Sequence, residues 1–324
     1  MACSATDAVA SYIADSRART LSDDVLEKTK LHIMDSIAAV LSGSRLKPGR
    51  FAATFAETLG GNPECTILGT SLLTSCVNAA LVNGMAGHAD ETDDSHLKSR
   101  AHLGCAVIPA ALAMAERKGS SGEAFLKAVT LGYDVGARST IALGYGSAKT
   151  QKHSTHSIAA TFGSAAAAAA LAELTVEQSA YVLSFATQQA SGVPCWNRDQ
   201  EHVEKAFDFG GMGARNGVFA ALIVEAGATG VRDPLTGHHS FLHAFGEKSD
   251  PAALTAGLGE DYEIMQASIK KWCVGSPIQA ALDSIVHLIE THGVKAAQVA
   301  EIVAHMPDDR LHVVSNREIP DICL

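Results

Sequence analysis

Residues 153–174 read HSTHSIAATFGSAAAAAALAEL, and the alanine run Ala165–Ala170 inside them decides the fold class. Alanine is the strongest helix former. Phe162, Leu171 and Leu174 flank the run, so it predicts a helix packed so closely that only methyl groups fit against its neighbours. Working outward, the helical period dominates. Ser22 opens a segment whose Leu26, Ile33, Ile37 and Leu41 share one face, with Gly43 as its stop. Ser120 and Glu123 have capping-box spacing before a stretch through Leu131 and Val135, and Thr175 and Gln178 repeat the device. Asp250-Pro251 and Ser276-Pro277 each set a capping side chain before a first-turn proline. Gly227 ends an apolar helix running from about Val218 to Ala226.

Strand signals are sparse until Val299–Ala304 and Leu311–Val314, where β-branched residues alternate. The sequence therefore predicts a mainly α protein. A large all-helical domain spans residues 1–266, and residues 267–324 begin a smaller α+β domain.

A chain of 324 residues is long enough for two cores. Hydrophobic residues at 47% and charged residues at 19% describe a folded globule and exclude a disordered chain. A net charge of −10 lacks the basic face of a nucleic-acid binder, yet a few local cations suffice for a polyanion. Seven cysteines without a C-x-x-C pair predict reduced thiols and a cytoplasmic location. No apolar signal core opens the chain, and no run reaches the ~18 apolar residues of a spanning helix, so no membrane partner is expected.

Four segments concentrate reactive side chains. The first is HADETDDSH, residues 88–96, followed by Lys98, Arg100 and His102. Three readings fit it: a solvated acidic loop, a catalytic loop in which neighbours tune histidine proton transfer, or a metal site. An EF-hand is excluded, because its glycine and closing glutamate are missing. The second is His153-Ser154-Thr155-His156, which places an imidazole at a helix start, where positive potential favours its neutral form. A capping or core histidine is the alternative. The third, residues 201–210, sets Lys205 and Asp208 three apart, either as a carboxylate grip or as a surface ion pair. The glycines that follow, from Gly210 to Gly217, are not a dinucleotide loop: no strand precedes them, and Asn216 stands at the third glycine position. They predict a tight turn with close helix packing. The fourth, residues 269–277, sets Lys270 and Lys271 before a helix start, as a carboxylate clamp or as exposed boundary lysines.

Taken in order, these segments resemble the MmgE/PrpD family, which includes 2-methylcitrate dehydratase, cis-aconitate decarboxylase and iminodisuccinate epimerase. HADETDDSH resembles the family's H-A-x-D-x-D-D-T-H loop, and Ala101-His102 with Val107-Ile108-Pro109 its continuation. HSTHSIAATFGSAAAAAALAEL resembles its H-x-T-x-x-x-x-G-x-A-A-A-A-A segment, and EKAFDFGGMGARNG its K-x-L-H-x-G stretch. IKKWCVGSPIQAALD resembles the segment that opens the family's second domain.

The resemblance implies a site between a helical domain and a lid domain, with no metal and no organic cofactor. By motif position His102 and His156 are the acid/base pair, and Asp94 and Glu91 complete the catalytic group. Ser95, His96, Lys205, Lys270 and Lys271 are the expected substrate-binding residues. The implied chemistry is loss of a proton α to a carboxylate of a small polycarboxylic acid. Dehydration as in 2-methylcitrate dehydratase leads; epimerisation and decarboxylation are the alternatives, and an inactive paralogue serving as a binding subunit is a further one. A homodimer is also implied. The chain departs from the family pattern in having Glu91 for aspartate and Asp208 for histidine. It has Leu311 and His312 where decarboxylase-like members place a tyrosine, which counts against decarboxylation. Family members are longer, so a truncated second domain is expected, which would leave the site wetter.

Overall fold

Capping side chains set out a succession of helices, described in a computed structural model for residues 4–144, 152–308 and 311–315. In chain order they are α1 (Ala5–Asp15), α2 (Asp23–Gly43), α3 (Lys47–Leu59), α4 (Cys76–Gly87) and α5 (Gly104–Lys118). Then come α6 (Gly122–Ile141), α7 (Thr155–Leu171), α8 (Val176–Gln189), the single turn α9 (Val203–Ala206), and α10 (Met212–Glu225). Short α11 (Phe241–Phe245), α12 (Gln279–His292) and α13 (Leu311–Val314) complete the set. Two antiparallel pairs of two-residue strands are the only sheet among the described residues: β1 (Cys65–Thr66) with β2 (Leu73–Thr74), and β3 (Ser95–His96) with β4 (Ala267–Ser268). The protein is mainly α.

The alanine-rich helix α7 lies in the core, with every residue except His156 buried. Its neighbours approach as the alanine run predicts. A Cβ on Gly163 would sit 2.5 Å from the Gly132 carbonyl oxygen of α6. One on Gly217 of α10 would sit 2.4 Å from the Ser164 Cβ. Backbones this close maximise dispersion contacts and leave no room for a side chain. Larger side chains fill the flanks: Leu103, Ile108, Met114 and Tyr133 on one side, Ile13, Phe162, Leu183 and Phe241 on the other.

Several local expectations shift. The Thr175–Gln178 capping box forms as predicted, but Ser121, not Ser120, caps α6, accepting from Ala124 N–H at 3.2 Å. Gly43 is the last residue of α2, and Ser44 follows as its cap. Ser276 gives no side-chain cap to the 3₁₀ turn Ser276–Ile278, whereas Asp250 caps Pro251–Leu254. The glycines from Gly210 do not turn the chain. Residues 207–211 form a π turn that runs straight into α10. The predicted strands at Val299–Ala304 and Leu311–Val314 are absent: the first is irregular and the second is α13. Alternation specifies a face, but a strand also needs a ladder partner, and none is paired with residues 299–304 among the described residues. No residue of α12 is buried. Among the described residues no helix is long and apolar enough to cross a membrane.

Candidate functional site

Helix α4 stops at Gly87 and His88 caps it, so the acidic stretch begins where helical hydrogen bonding ends. Asp90 shapes the turn by accepting from the N–H and hydroxyl of Thr92 (3.1 and 2.5 Å). Glu91 takes a left-handed φ of 61°, and Arg100 and His202 do the same at 52° and 59°. Such conformations cost free energy in a residue with a side chain and concentrate at functional sites. Ser95 then pairs with Ser268 and His96 with Ala267, which carries Lys270 to the acidic loop.

Three side chains meet around the buried Asp93. His88 Nδ1 lies 2.9 Å from its Oδ2, His102 Nδ1 3.3 Å, and Lys270 Nζ 3.4 Å from its Oδ1. Lys270, with a side chain only 2% exposed, also donates to the Glu91 carbonyl at 2.7 Å and reaches Glu91 Oε2 at 3.4 Å. Lys205 donates to Glu91 Oε1 and stands over the rings of Phe209 (5.2 Å) and Trp196 (5.9 Å). Lys205 therefore pairs with Glu91 and not with Asp208, whose Oδ2 accepts instead from the Ser154 hydroxyl at 2.5 Å. The π turn breaks the i, i+3 register that would have joined them.

Phe209 is the floor of the site. His156 stacks on it at 3.6 Å and 13°, and His88 at 4.2 Å and 26°. The His102 and His156 rings stand 5.2 Å apart. His156 is the second residue of α7, as its sequence position predicts. Burial pushes its pKa well below the ordinary histidine range, and His102, His88 and Lys205 push the same way. Its Nδ1 has no hydrogen-bond partner among the described residues. Burial also takes His88 down, to about 4, against the pull of Asp93 and Glu91. Burial alone would raise Glu91 and Asp93. His88 and Lys270 override it for both carboxylates, with Lys205 helping at Glu91 and His102 at Asp93, and hold each low. Lys270, which burial would discharge, is kept charged by Asp93 and Glu91.

The remaining expected residues occupy other places. Asp94 is wholly buried and engaged by His32 Nδ1 (2.6 Å), Tyr133 OH (2.5 Å) and Gly104 N–H (3.0 Å). These bonds outweigh burial and lower its pKa. It anchors the loop to α2, α5 and α6. His96 has Ser99 Oγ at 2.9 Å from Nδ1 and Glu263 Oε2 at 3.2 Å from Nε2. Ser95 is partly exposed in β3. Lys271 is outside the cluster: it is exposed and paired with Asp283 at 3.0 Å. The side chain of His312 lies outside the described residues. His32, Tyr133, His202, Trp196 and Phe209 were not singled out from sequence. The signal for Phe209 was present in EKAFDFGG, whereas His32 is 62 residues from Asp94 and gives no local sign.

Among the described residues, two groups have ligand atoms close enough to hold a metal: His88, Asp93 and His102, and His88, Glu91 and His202. In both the carboxylate already faces an ammonium group. The arrangement offers a neutral imidazole whose Nδ1 has no partner among the described residues, a second imidazole beside it, and two cations on one carboxylate. That combination suits moving a proton near an anion.

The chain is similar in sequence to several curated proteins. A cis-aconitate decarboxylase-like protein of Aspergillus oryzae is 29% identical over 83% of this chain and 58% of its own length. A cis-aconitate decarboxylase of Aspergillus terreus is 26% identical over 82% of this chain and 56% of its own. The human cis-aconitate decarboxylase is 27% identical over 72% and 48%. The chain thus spans about half the length of the curated relatives it matches. Residues 7–254 match the MmgE/PrpD N-terminal domain, and with most of the chain inside that match, the protein belongs to the MmgE/PrpD family.

Proposed function

We propose that the protein is a lyase acting on a small polycarboxylic acid without a metal or organic cofactor. The observation that carries this reading is the His102–His156 pair, 5.2 Å apart over Phe209, beside two lysines gathered on one carboxylate. His156 takes the proton from the carbon next to a substrate carboxylate. The electron pair moves into that carboxylate, where Lys205 and Lys270 stabilise the growing charge. His102 then protonates the departing β-hydroxyl, and water and an alkene result. Asp94 acts as a positioning residue, and Asp93 orients His88 and His102. The relatives' names favour a second outcome, in which carbon dioxide leaves and a histidine returns a proton to the carbon left behind. A homodimer completes the proposal.

NMR of cis-aconitate and of 2-methylcitrate with the purified protein in deuterium oxide tests the shared step. Deuterium appearing at the carbon beside a carboxylate is expected. New alkene signals point to dehydration and lost carboxylate signals to decarboxylation. A folded protein that incorporates no deuterium into either acid overturns the reading.

A further inference from the structure

The Glu91 carboxylate is gathered by two ammonium groups. Lys205 donates to Oε1 and Lys270 Nζ lies 3.4 Å from Oε2, while His202 Nε2, 3.7 Å from Oε1, gives its proton to the His88 carbonyl at 3.0 Å. Two ammonium groups on one carboxylate form a cradle for an anion. The cradle has a closed end and an open end. Lys270 and Asp93 are sealed at 2% and 0% exposure, whereas Glu91, His202 and Lys205 are 18%, 20% and 22% exposed.

Glu91 projects from a left-handed backbone position, on an arm one methylene longer than aspartate. Lys270 does not depend on the Glu91 carboxylate, because it is also held by the Glu91 carbonyl and by Asp93. Exchange of Glu91 for another carboxylate would leave the charge of the cradle unchanged, which avoids burying an unpaired ion. We propose that Glu91 is a displaceable internal carboxylate, and that Lys205 and Lys270 form a subsite that takes one carboxylate of a small di- or tricarboxylic acid when Glu91 swings out. This deepens the reading above, in which the two lysines hold substrate, and makes the length of residue 91 a determinant of affinity.

Calorimetry with malonate as the probe tests it without turnover. Glu91→Gln keeps the length and removes the charge, and should bind malonate at least ten-fold more tightly than the unmodified protein. Glu91→Asp should lie between. Adding Lys205→Met to Glu91→Gln should erase the gain. Folding is checked by thermal melting, and if the glutamine variant does not fold, the aspartate variant decides by the same comparison. A folded variant that binds malonate no better than the parent, or a gain that survives Lys205→Met, overturns the proposal. Deuterium exchange measured alongside separates the two ideas. Exchange without the affinity gain removes the displaceable carboxylate alone, and the gain without exchange removes the lyase reading alone.

Discussion

Desolvation keeps His156 neutral at pH 7, and its ring stacks on Phe209 with Nδ1 unpartnered among the described residues. Glutamine retains size and hydrogen bonding but accepts no proton from carbon, so His156→Gln should abolish deuterium uptake in a folded protein. Uptake at the parent rate in that variant, with His102→Gln inactive, would reverse the assignment of base and acid. Lys205→Ala should raise KM for a polycarboxylate by roughly ten- to hundred-fold, the effect of losing a charge-assisted contact worth ~1.5–3 kcal/mol. Asp208 supplies a pH test. Burial raises its pKa from 3.8 to about 7, with Ser154 and Ser157 opposing, so the folded chain holds this proton more tightly than the unfolded one. The resulting cost is absent below about pH 4, grows as pH rises, and is complete above about pH 7. Asp208→Asn should therefore match the parent's stability near pH 4 and exceed it at pH 8 by on the order of 1–3 kcal/mol, read as a higher melting temperature at pH 8 alone. Equal melting temperatures at both values would contradict the raised pKa. His102, His156, Lys205 and Lys270 were legible because each stands in a motif with a chemical reason for its residue type. Lys271 was not separable from Lys270, since adjacent residues diverge in space and only β4 selects which one faces the loop.

The helices were legible as elements because alanine content, capping residues and apolar period agree on them. Their limits were less so where two equivalent residues compete. Ser120 and Ser121 carry the same hydroxyl, and only the second reaches the Ala124 N–H. Ser121→Ala should cost ~1 kcal/mol of stability in denaturant melts, and Ser120→Ala much less; the reverse order would restore the cap one residue earlier. Close packing was readable from the alanine run, but its partners were not. They are glycines on α6 and α10, spread from Gly132 to Gly217. Gly217→Val should destabilise by ~1–3 kcal/mol or more through overpacking against Ser164, an effect that unchanged melting would refute. The alternating tail failed as a strand signal because a period-2 pattern does not supply a partner.

At the scale of the molecule, the site depends on contacts that no window of sequence contains. Glu91 and Lys270 are 179 residues apart, and a four-residue sheet joins their segments. The proposed absence of a metal predicts that dialysis against a chelator leaves deuterium exchange intact; loss of exchange that one divalent ion restores would reverse it. The proposed homodimer predicts a light-scattering mass near twice 33.7 kDa at micromolar concentration. A mass near that of one chain would refute it. The same 179-residue separation also imposes an order in time. A ribosome adding ~5–20 residues per second makes Glu91 roughly 10–40 s before Lys270. For most of that interval the nascent loop carries Asp93 and Glu91 with no ammonium beside them; Lys205 comes first and serves only Glu91, so the charge balance of the site is completed only when residue 270 has emerged.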